Sequence, residues 1–414
     1  MRKLLLISHG FPPAGGPYAP ASVRLGKFAQ YLPEFGWTPV VVSTGLQSYQ
    51  LLDDGLMPSV DLSVTRVDDP IPPFRGRDRV ARWLPSPGQL LPWSIRAARI
   101  ASQLAQNHNC EVILASSPPL ASFLAGYLVH ANTHLPLVLD YRDQWTLSPY
   151  RVGPGLYRRW DRWLEEKVLR TSTQVVLSTP GLLAEHNVYW GDISPKAICI
   201  PNGYDFRDFE GLVPDRLLPR KARDEEIVIR HLGAIYGHRS ASLLLVLKAL
   251  NEYLLGMPEA PVIRLQLVGN VAEEAVHFGE DRSPKLIIER SGNVKRRAAL
   301  TMELGADVLL LIIGRHSQSD GETTSKIFEY IASGRPILVG GESKTVRQIT
   351  QVLERVFWLG GDPTSGGFAQ FFEWLDKHLE GVSVRQARED LEQYDSAHDR
   401  RSLARGLAEV LSAL

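Results

Sequence analysis

The stretch LLLISHGFPPAGGPYAPASVRLGKFAQYLPEFGWTPVVV spans residues 4–42 and contains one complete strand–helix–strand unit. Its first four residues form a continuous apolar run, which is typical of a strand buried on both faces of a parallel sheet. A loop rich in Gly and Pro follows, and apolar residues then recur with helical spacing from about residue 21 to Gly36. Val40–Val42 form the next apolar run. The stretch therefore predicts a βαβ opening.

The same alternation of short apolar runs and helical patterns continues along the chain. In the first half, further strand cores are predicted at 112–115, 137–139, 175–177 and 198–200, with helices near 94–107, 119–133, 155–171 and 180–189. A charged, proline-containing connector (206–226) then separates this series from a second one. The second series has predicted strands at 227–232, 263–268, 286–288, 308–313, 337–339 and 356–359 and helices at 241–255, 294–304, 325–333 and 364–380. We therefore predict an α/β protein with two doubly wound Rossmann-like domains, residues 1–204 and 205–389, that face each other across a ligand-binding cleft.

Composition excludes several function classes. Lys plus Arg and Asp plus Glu each number 46, so the chain lacks the excess positive charge of a dedicated nucleic-acid binder. The 2 cysteines cannot form a disulfide scaffold or a structural zinc site. No apolar run is long enough to span a membrane, and the apolar run near Met1 is too short for a signal peptide. We therefore expect a cytoplasmic location and no nucleic-acid partner.

Two segments of the first half carry polar or glycine-rich patterns at the ends of predicted strands. In HGFPPAGGPYAPASVRL (9–25), Gly15 and Gly16 allow the backbone to approach a ligand beside a helix N-terminus. In LVLDYRDQW (137–145), Arg142 could bind a phosphate or hydroxyl, and Asp143 could accept from a sugar hydroxyl. The alternatives, a turn-rich loop and a structural Arg–Asp pair, account for these residues equally well.

The strongest signal lies in the second half, in GETTSKIFEYIASGRPILVGG (321–341). A Thr/Thr/Ser run precedes a predicted helix, whose N–H groups and positive end suit a diphosphate, and Lys326 adds a cation there. Glu329, one turn further on, could accept hydrogen bonds from the two hydroxyls of a ribose. A capped amphipathic helix explains the apolar residues of this segment but not the Lys and Glu that bracket them. The donor-binding residues predicted here are Glu322, Thr323, Thr324, Ser325, Lys326 and Glu329.

The segment HLGAIYGHRSAS (231–242) follows the first strand of the second half. Gly233 and Gly237 open this loop, and Arg239 is positioned to enter the cleft, although an exposed structural arginine remains the alternative. The sequence contains no zinc-binding motif, no P-loop, no GxSxG nucleophile elbow and no Asp-x-Asp pair. We therefore expect no metal and no cofactor, so that backbone N–H groups and cations hold the diphosphate.

The segment at 321–341 resembles the donor-nucleotide motif of the family 4 glycosyltransferases, which have the GT-B fold. The resemblance extends over almost the whole chain: the loop at 12–25 is similar to the family's N-terminal glycine loop, IPNGYD (200–205) to its "PNGVD" turn, and LGAIYGHRS (232–240) to its diphosphate loop. The tail from about 390 to 414 resembles the C-terminal helix that packs back on the first domain. The resemblance implies a retaining, metal-independent transfer from a nucleotide-sugar to an acceptor hydroxyl, in the biosynthesis of cell-surface polysaccharides, glycolipids or glycoconjugates.

The chain departs from the family pattern at several positions. The first Glu of the family's glutamate pair is replaced by Gly321, with Glu322 one position late, so we expect the Thr323–Ser325 backbone to take over its contacts. Arg142-Asp143 stands where a His-Asp pair is common. Arg239 replaces the usual Lys of the diphosphate loop. The resemblance thus implies catalytic roles for Arg142, Asp143, Arg239 and Lys326.

Two alternatives to a glycosyltransferase remain open at the level of the sequence. A nucleotide-sugar 2-epimerase shares the two-domain architecture, and a non-catalytic nucleotide-sugar-binding protein would explain the missing first Glu. Basic residues also alternate with Trp at 75–99 and 151–163, a pattern that suits an anionic membrane surface as well as a solvated, packed face. The first of these interpretations predicts a lipid-linked acceptor and a peripheral location on the inner membrane face.

Overall fold

A computed structural model describes residues 1–70, 86–148, 154–215, 226–277, 281–314, 324–379, 382–394 and 398–414. The chain divides into two compact units, residues 1–202 together with 400–414, and residues 203–399. The sequence analysis predicted the boundary between the units at 204/205 and predicted that the chain packs back on the first unit from about residue 390. Each unit is built on one parallel sheet.

The first unit has a seven-stranded sheet in the order β3-β2-β1-β4-β5-β6-β7, with every pair of neighbours parallel. Its strands are β1 (Arg2–Ile7), β2 (Trp37–Thr44), β3 (Ser63–Val67), β4 (Val112–Ser117), β5 (Leu137–Tyr141), β6 (Gln174–Leu177) and β7 (Ala197–Cys199). The helices described between them are α1 (Ala19–Tyr31), α2 (Leu91–Asn107), α3 (Ala121–Thr133), α4 (Gly155–Thr171) and α5 (Pro180–Trp190).

The second unit has a six-stranded parallel sheet in the order β10-β9-β8-β11-β12-β13. Its strands are β8 (Ile227–Leu232), β9 (Ile263–Val268), β10 (Leu286–Ser291), β11 (Val308–Ile312), β12 (Ile337–Gly340) and β13 (Val356–Gly360). The helices described in it are α6 (His238–Gly256), α7 (Arg296–Leu304), α8 (Lys326–Ser333), α9 (Lys344–Thr350), α10 (Ser365–His378) and α11 (Val384–Tyr394). The predicted fold class, two doubly wound parallel sheets, is thereby confirmed.

Strand β1 is buried on both faces, as its continuous apolar run predicts. Leu5 and Ile7 of β1 pack into one core cluster, whereas Leu4 and Leu6 pack into the cluster on the other face of the sheet. The last helix, α12 (Arg400–Ser412), packs on α1 and adds Leu403, Leu407 and Leu411 to the second of these clusters. Burial of each leucine stabilises this return by roughly 1.5–3 kcal/mol.

The strand order of each sheet reverses at one point, and this fixes where ligands collect. In the first unit, the reversal lies between β1 and β4, and in the second it lies between β8 and β11. Open α/β sheets bind ligands beyond the carboxyl ends of the strands at this position. The loops after β1 and β4 in the first unit, and after β8 and β11 in the second, are therefore the expected ligand-binding positions.

Two elements were not predicted, the edge strand β3 and the short helix α9. Within the described residues, no helix is both long and apolar enough to cross a membrane.

Candidate functional site

The start of α8 lies on the carboxyl side of the second sheet, because this helix connects β11 to β12. Its first N–H groups have no partners within the helix. The Lys326 N–H donates weakly to Thr324 Oγ1 at 3.4 Å, and Ser325 occupies the N-cap position without a side-chain cap bond. The helix start therefore has N–H groups that its own side chains cap only weakly, and the predicted binding of an anion there stays a prediction. Glu322 and Thr323 lie outside the described residues.

Glu329 is the centre of a buried charge network. Its side chain is one turn into α8, and the residue is 9% exposed. Lys326 Nζ donates to Glu329 Oε2 at 2.6 Å, and Arg296 Nη1 donates to Glu329 Oε1. Arg296 also reaches Asp208 Oδ2 at 2.6 Å through Nη2. The Glu329 carboxylate is thus held by Lys326 and Arg296, and Arg296 is itself held by the Asp208 carboxylate.

The network fixes the charge of Glu329. Burial alone would raise the pKa of this carboxyl, but the positive charges of Lys326 and Arg296 lower the pKa to about 2. Burial also works against the charge of Arg296, whose pKa is nevertheless raised by Glu329 and Asp208. Glu329 is therefore an acceptor-only carboxylate at neutral pH. Such a group can accept from a ligand's hydroxyls.

Glu303 of α7 lies beside this network in a contrasting environment. The residue is fully buried, its Oε1 lies 3.6 Å from Lys326 Nζ, and neither carboxyl oxygen has a hydrogen-bond partner among the described residues. Burial raises the pKa of Glu303 to about 8, although Lys326 opposes this shift. At neutral pH the Glu303 side chain is therefore mainly a neutral carboxylic acid.

The loop between β8 and α6 joins the same edge of the sheet. Gly233 has a φ of +145°, and a Cβ on Gly269 would lie 2.3 Å from the Gly233 carbonyl oxygen, so the turns after β8 and β9 are in direct contact. Arg239 is the second residue of α6, and its Cγ lies 3.5 Å from the position of a Cβ on Gly314. The structure therefore brings the loop after β8 next to the end of β11.

His231, at the end of β8, is a buried histidine that lies close to both Arg239 and Lys326. It is 5% exposed, and Nδ1 lies 2.9 Å from the Leu310 carbonyl oxygen. Because a carbonyl only accepts, Nδ1 carries the proton and Nε2 is left as an acceptor. Burial lowers the pKa of His231 to about 4, and the positive charges of Arg239 and Lys326 contribute to this shift. Both predicted diphosphate cations are thus close enough to act on one buried imidazole.

Two of the four residues predicted in the first unit, Gly15 and Arg142, form hydrogen bonds within the protein. Gly15 N donates to the Leu51 carbonyl at 2.9 Å, and Gly16 has a φ of +59° at the turn that leads into α1. Arg142 Nε donates to Ser116 Oγ at 3.2 Å, and the same guanidinium reaches the Pro118 carbonyl. Asp143 is exposed.

A neighbouring acid, Asp140, has a structural role. Arg24 Nη2 donates to Asp140 Oδ1 at 2.8 Å, and both side chains are almost completely buried. The same guanidinium donates to the Ile200 and Pro201 carbonyls at 2.9 and 2.8 Å. Arg24 therefore connects α1, the end of β5 and the IPNGYD turn, so only Asp143 of the two acids is presented to solvent.

Sequence reasoning missed Asp208, Arg296, Glu303 and the role of His231. Arg296 and Glu329 are 33 residues apart, and Arg296 and Asp208 are 88 apart, so no local spacing marks the network. His231 was within a quoted motif but carried no signal that it faces inward. Among the residues that the structure describes, no group of three His, Cys, Asp or Glu side chains is placed to hold a metal ion.

Comparison with known proteins agrees with the fold. Residues 12–203 match the family described as the glycosyl transferase 4-like domain. No curated protein matches the sequence significantly. Among solved structures, sucrose-phosphate synthase from Thermosynechococcus elongatus superposes with a TM-score of 0.66 at 14% identity, covering 100% of this chain and 99% of the other. The structure of HepE from Anabaena in complex with UDP superposes with a TM-score of 0.61 at 16% identity, covering 100% of both chains.

An epimerase-like structure is also similar. A structure from Listeria monocytogenes that is described as a UDP-N-acetylglucosamine 2-epimerase superposes with a TM-score of 0.57 at 12% identity, covering 99% of this chain and 96% of the other. This likeness is weaker than that of the two proteins above, and at such identities superposition establishes the fold alone. These findings agree with the resemblance to the family 4 glycosyltransferases: residues 12–203 match the glycosyl transferase 4-like domain, and the whole chain has the GT-B fold of the glycosyltransferase structures named above.

Proposed function

We propose that this protein transfers a sugar from a nucleoside-diphosphate sugar to an acceptor hydroxyl, with retention of the anomeric configuration and without a metal. The observation that carries the proposal is the buried, ionised Glu329 at the start of α8, on the carboxyl side of the strand-order reversal. A carboxylate kept charged in a buried position is suited to accept from paired hydroxyls.

The second unit binds the donor nucleotide through Glu329. A carboxylate has about four lone-pair sites. Lys326 and Arg296 use two of them, so two remain for the adjacent hydroxyls of a ribose. The two cations also hold the carboxylate in one orientation, which reduces the ordering cost of binding.

The diphosphate is held by Arg239, Lys326 and the N–H groups at Thr324–Lys326. Two phosphate charges need compensation where water is excluded. The Lys326 ammonium has three donors, of which Glu329 takes one, so the same side chain can also reach a phosphate. Gly233 allows the loop backbone to approach the phosphates, because no Cβ intervenes.

In the transfer, the bond between the anomeric carbon and the leaving diphosphate breaks. The acceptor oxygen bonds to the same face of that carbon, and its proton passes to an oxygen of the leaving phosphate. Negative charge grows on the leaving group, so Arg239 and Lys326 stabilise the transition state more than the ground state. Arg142 and Asp143 of the first unit orient the acceptor or donor sugar. We propose a lipid-linked acceptor.

The experiment that tests this proposal begins with a thermal-shift screen of UDP-, GDP- and dTDP-sugars. The complex of Anabaena HepE with UDP makes the uridine series the first to examine. A bound donor stabilises the fold by about 2.7 kcal/mol at a hundred times its Kd. Proton NMR of the product formed from an α-linked donor should then show an α-linkage, with activity unchanged by excess EDTA.

Three outcomes would overturn parts of the proposal. A β-linked product contradicts retention. Strict dependence on added Mg²⁺ or Mn²⁺ contradicts diphosphate binding by cations and backbone alone. An epimerised donor, or binding without turnover over a panel of lipid-linked acceptors, contradicts transferase activity.

A further inference from the structure

The outward face of α4 carries a stripe of apolar side chains. Leu156, Trp160 and Trp163 follow one another at helical spacings of four and three residues, and they are 72%, 45% and 50% exposed. The rings of Trp160 and Trp163 lie 5.1 Å apart. Single exposed apolar residues are common, but three on one stripe form a patch that needs an explanation.

Exposed basic side chains lie on the same helix as this stripe, and two of the three acids of the helix point inward. The exposed basic residues of α4 are Arg158, Arg159, Arg162, Lys167 and Arg170. Asp161 and Glu165 are each 1% exposed and accept from the Ser86 and Thr146 N–H groups. Only Glu166 faces outward among the acids, and it pairs with Arg170. The outward face is therefore positive although the whole chain has no net charge.

We propose that this α4 outer face, made of Leu156, Trp160, Trp163 and the surrounding cations, docks the protein on an anionic lipid bilayer. Amphipathic helices bind such surfaces with Trp and Leu at the boundary of headgroups and acyl chains and with Lys or Arg against the lipid charges. The inference does not depend on the proposed transferase reaction.

The arrangement favours a bilayer over a protein partner. Protein interfaces are depleted of lysine and other charges near their apolar core. Here Lys167 lies directly over the Trp163 ring, with Nζ 5.7 Å from the centroid, and the basic side chains alternate with the apolar ones along the helix. Trp is also the residue that is enriched at the headgroup level of membranes.

The test is co-sedimentation of the full chain with vesicles. One set consists of phosphatidylcholine alone, and the other of phosphatidylcholine and phosphatidylglycerol in equal amounts. We expect binding to the anionic set only, with weakening as salt rises because the Debye length shortens. Arg159→Gln with Lys167→Gln should lower the partition coefficient roughly tenfold to thirtyfold, since each basic residue near the surface contributes about a fivefold factor.

A second pair of substitutions tests the apolar contribution. Leu156→Ala with Trp163→Ala should lower partition roughly tenfold or more, because buried apolar area contributes to the binding. These variants leave the Trp160 hydrogen bond to the Ser86 carbonyl in place. The matched controls are Leu255→Ala and Arg385→Gln, which are exposed positions of the second unit and should bind as the native chain does.

The proposal is wrong if the native chain binds both vesicle sets equally, if it binds neither, or if all face variants bind as the native chain does. It is also wrong if the native chain self-associates without vesicles and the face variants do not, because the face would then be an interface between copies. Thermal unfolding of each variant checks that the exposed substitutions leave the fold intact.

Discussion

Lys326 and Glu329 form a hydrogen-bonded ion pair of 2.6 Å within the first turn of α8. Lys326 therefore neutralises the Glu329 carboxylate and also places a cation beside the helix N-terminus, and the sequence predicted only the second of these functions. Arg296 shares the first of these functions from α7. If Glu329 binds the donor as proposed, donor affinity depends on the charge state of this network.

Replacement of Lys326 by Ala should lower donor affinity and kcat together. The leaving diphosphate loses a cation whose interaction strengthens as charge develops, so kcat should fall roughly a hundredfold or more. Steady-state kinetics and nucleotide titration measure the two effects. The matched control is Lys344→Ala, at the first residue of α9, which should leave both constants unchanged. A variant that lost affinity but kept kcat would contradict the transition-state role of Lys326.

The buried Glu303 should make stability depend on pH. Its native pKa of about 8 lies above its unfolded value, so the native state binds more protons and stability falls as pH rises between these two values. Glu303→Gln should match the native chain at about pH 5 and exceed its free energy of unfolding by about 2–4 kcal/mol at about pH 8. Denaturant titrations at both pH values measure the difference.

Glu165 contributes a similar background slope in the first unit, because burial raises its pKa to about 7. The effect of Glu303 is therefore measured by the difference in free energy of unfolding between the native chain and Glu303→Gln at each pH. The pH dependence of either protein alone also includes the contribution of Glu165. Parallel stability curves for the two proteins would show that Glu303 is ionised throughout the range.

The Arg24–Asp140 pair should be essential to the first unit's stability. Removal of one partner leaves the other charge buried, so Asp140→Asn should lower the free energy of unfolding by about 3–5 kcal/mol. The exposed pair of Arg2 and Glu111 provides the control, and Glu111→Gln should cost less than about 1 kcal/mol. Equal losses in the two variants, measured by urea unfolding, would refute the structural role of Asp140.

Asp143→Asn should reduce turnover roughly tenfold to a hundredfold and leave nucleotide affinity unchanged, because the exposed carboxylate belongs to the unit proposed to orient the sugar or acceptor. Asp192→Asn, at another exposed acid of the first unit, is the control. Turnover assays and nucleotide titrations separate the two effects. Loss of nucleotide affinity in Asp143→Asn would move this residue to the donor site.

Strand and helix positions were predictable wherever burial on both faces produces a continuous apolar run. Strands β11 and β12 of the second sheet, with the sequences VLLLI and ILVG, are completely buried and show such runs. Strand β3 was missed because SVTRV at the sheet edge mixes polar and apolar residues and is only partly buried. Helix α9 was missed because it has only seven residues, although the Ser343 side chain caps it by accepting from Val346 N.

The candidate site was predictable only where its residues share one local segment. Lys326 and Glu329 stand three residues apart, and a helix brings such residues together on one face. Arg296 and Asp208 join them through tertiary folding alone. The distinction between Asp140, which is buried against Arg24, and Asp143, which is exposed, also arises only when α1 packs beside β5.

Calorimetric titration of a nucleoside diphosphate into the native chain and into Glu329→Gln tests the central claim most directly. UDP is the first probe, and the nucleotide that gives the largest thermal shift replaces it if UDP does not bind. The matched control is Glu342→Gln, at an exposed glutamate of the same unit that pairs with Arg347. Thermal unfolding confirms that each variant is folded. We expect Glu329→Gln to weaken nucleotide binding by about 1.5–3 kcal/mol and Glu342→Gln to bind the nucleotide as the native chain does. Unchanged affinity in a folded Glu329→Gln protein would contradict the assignment of this carboxylate to the donor ribose.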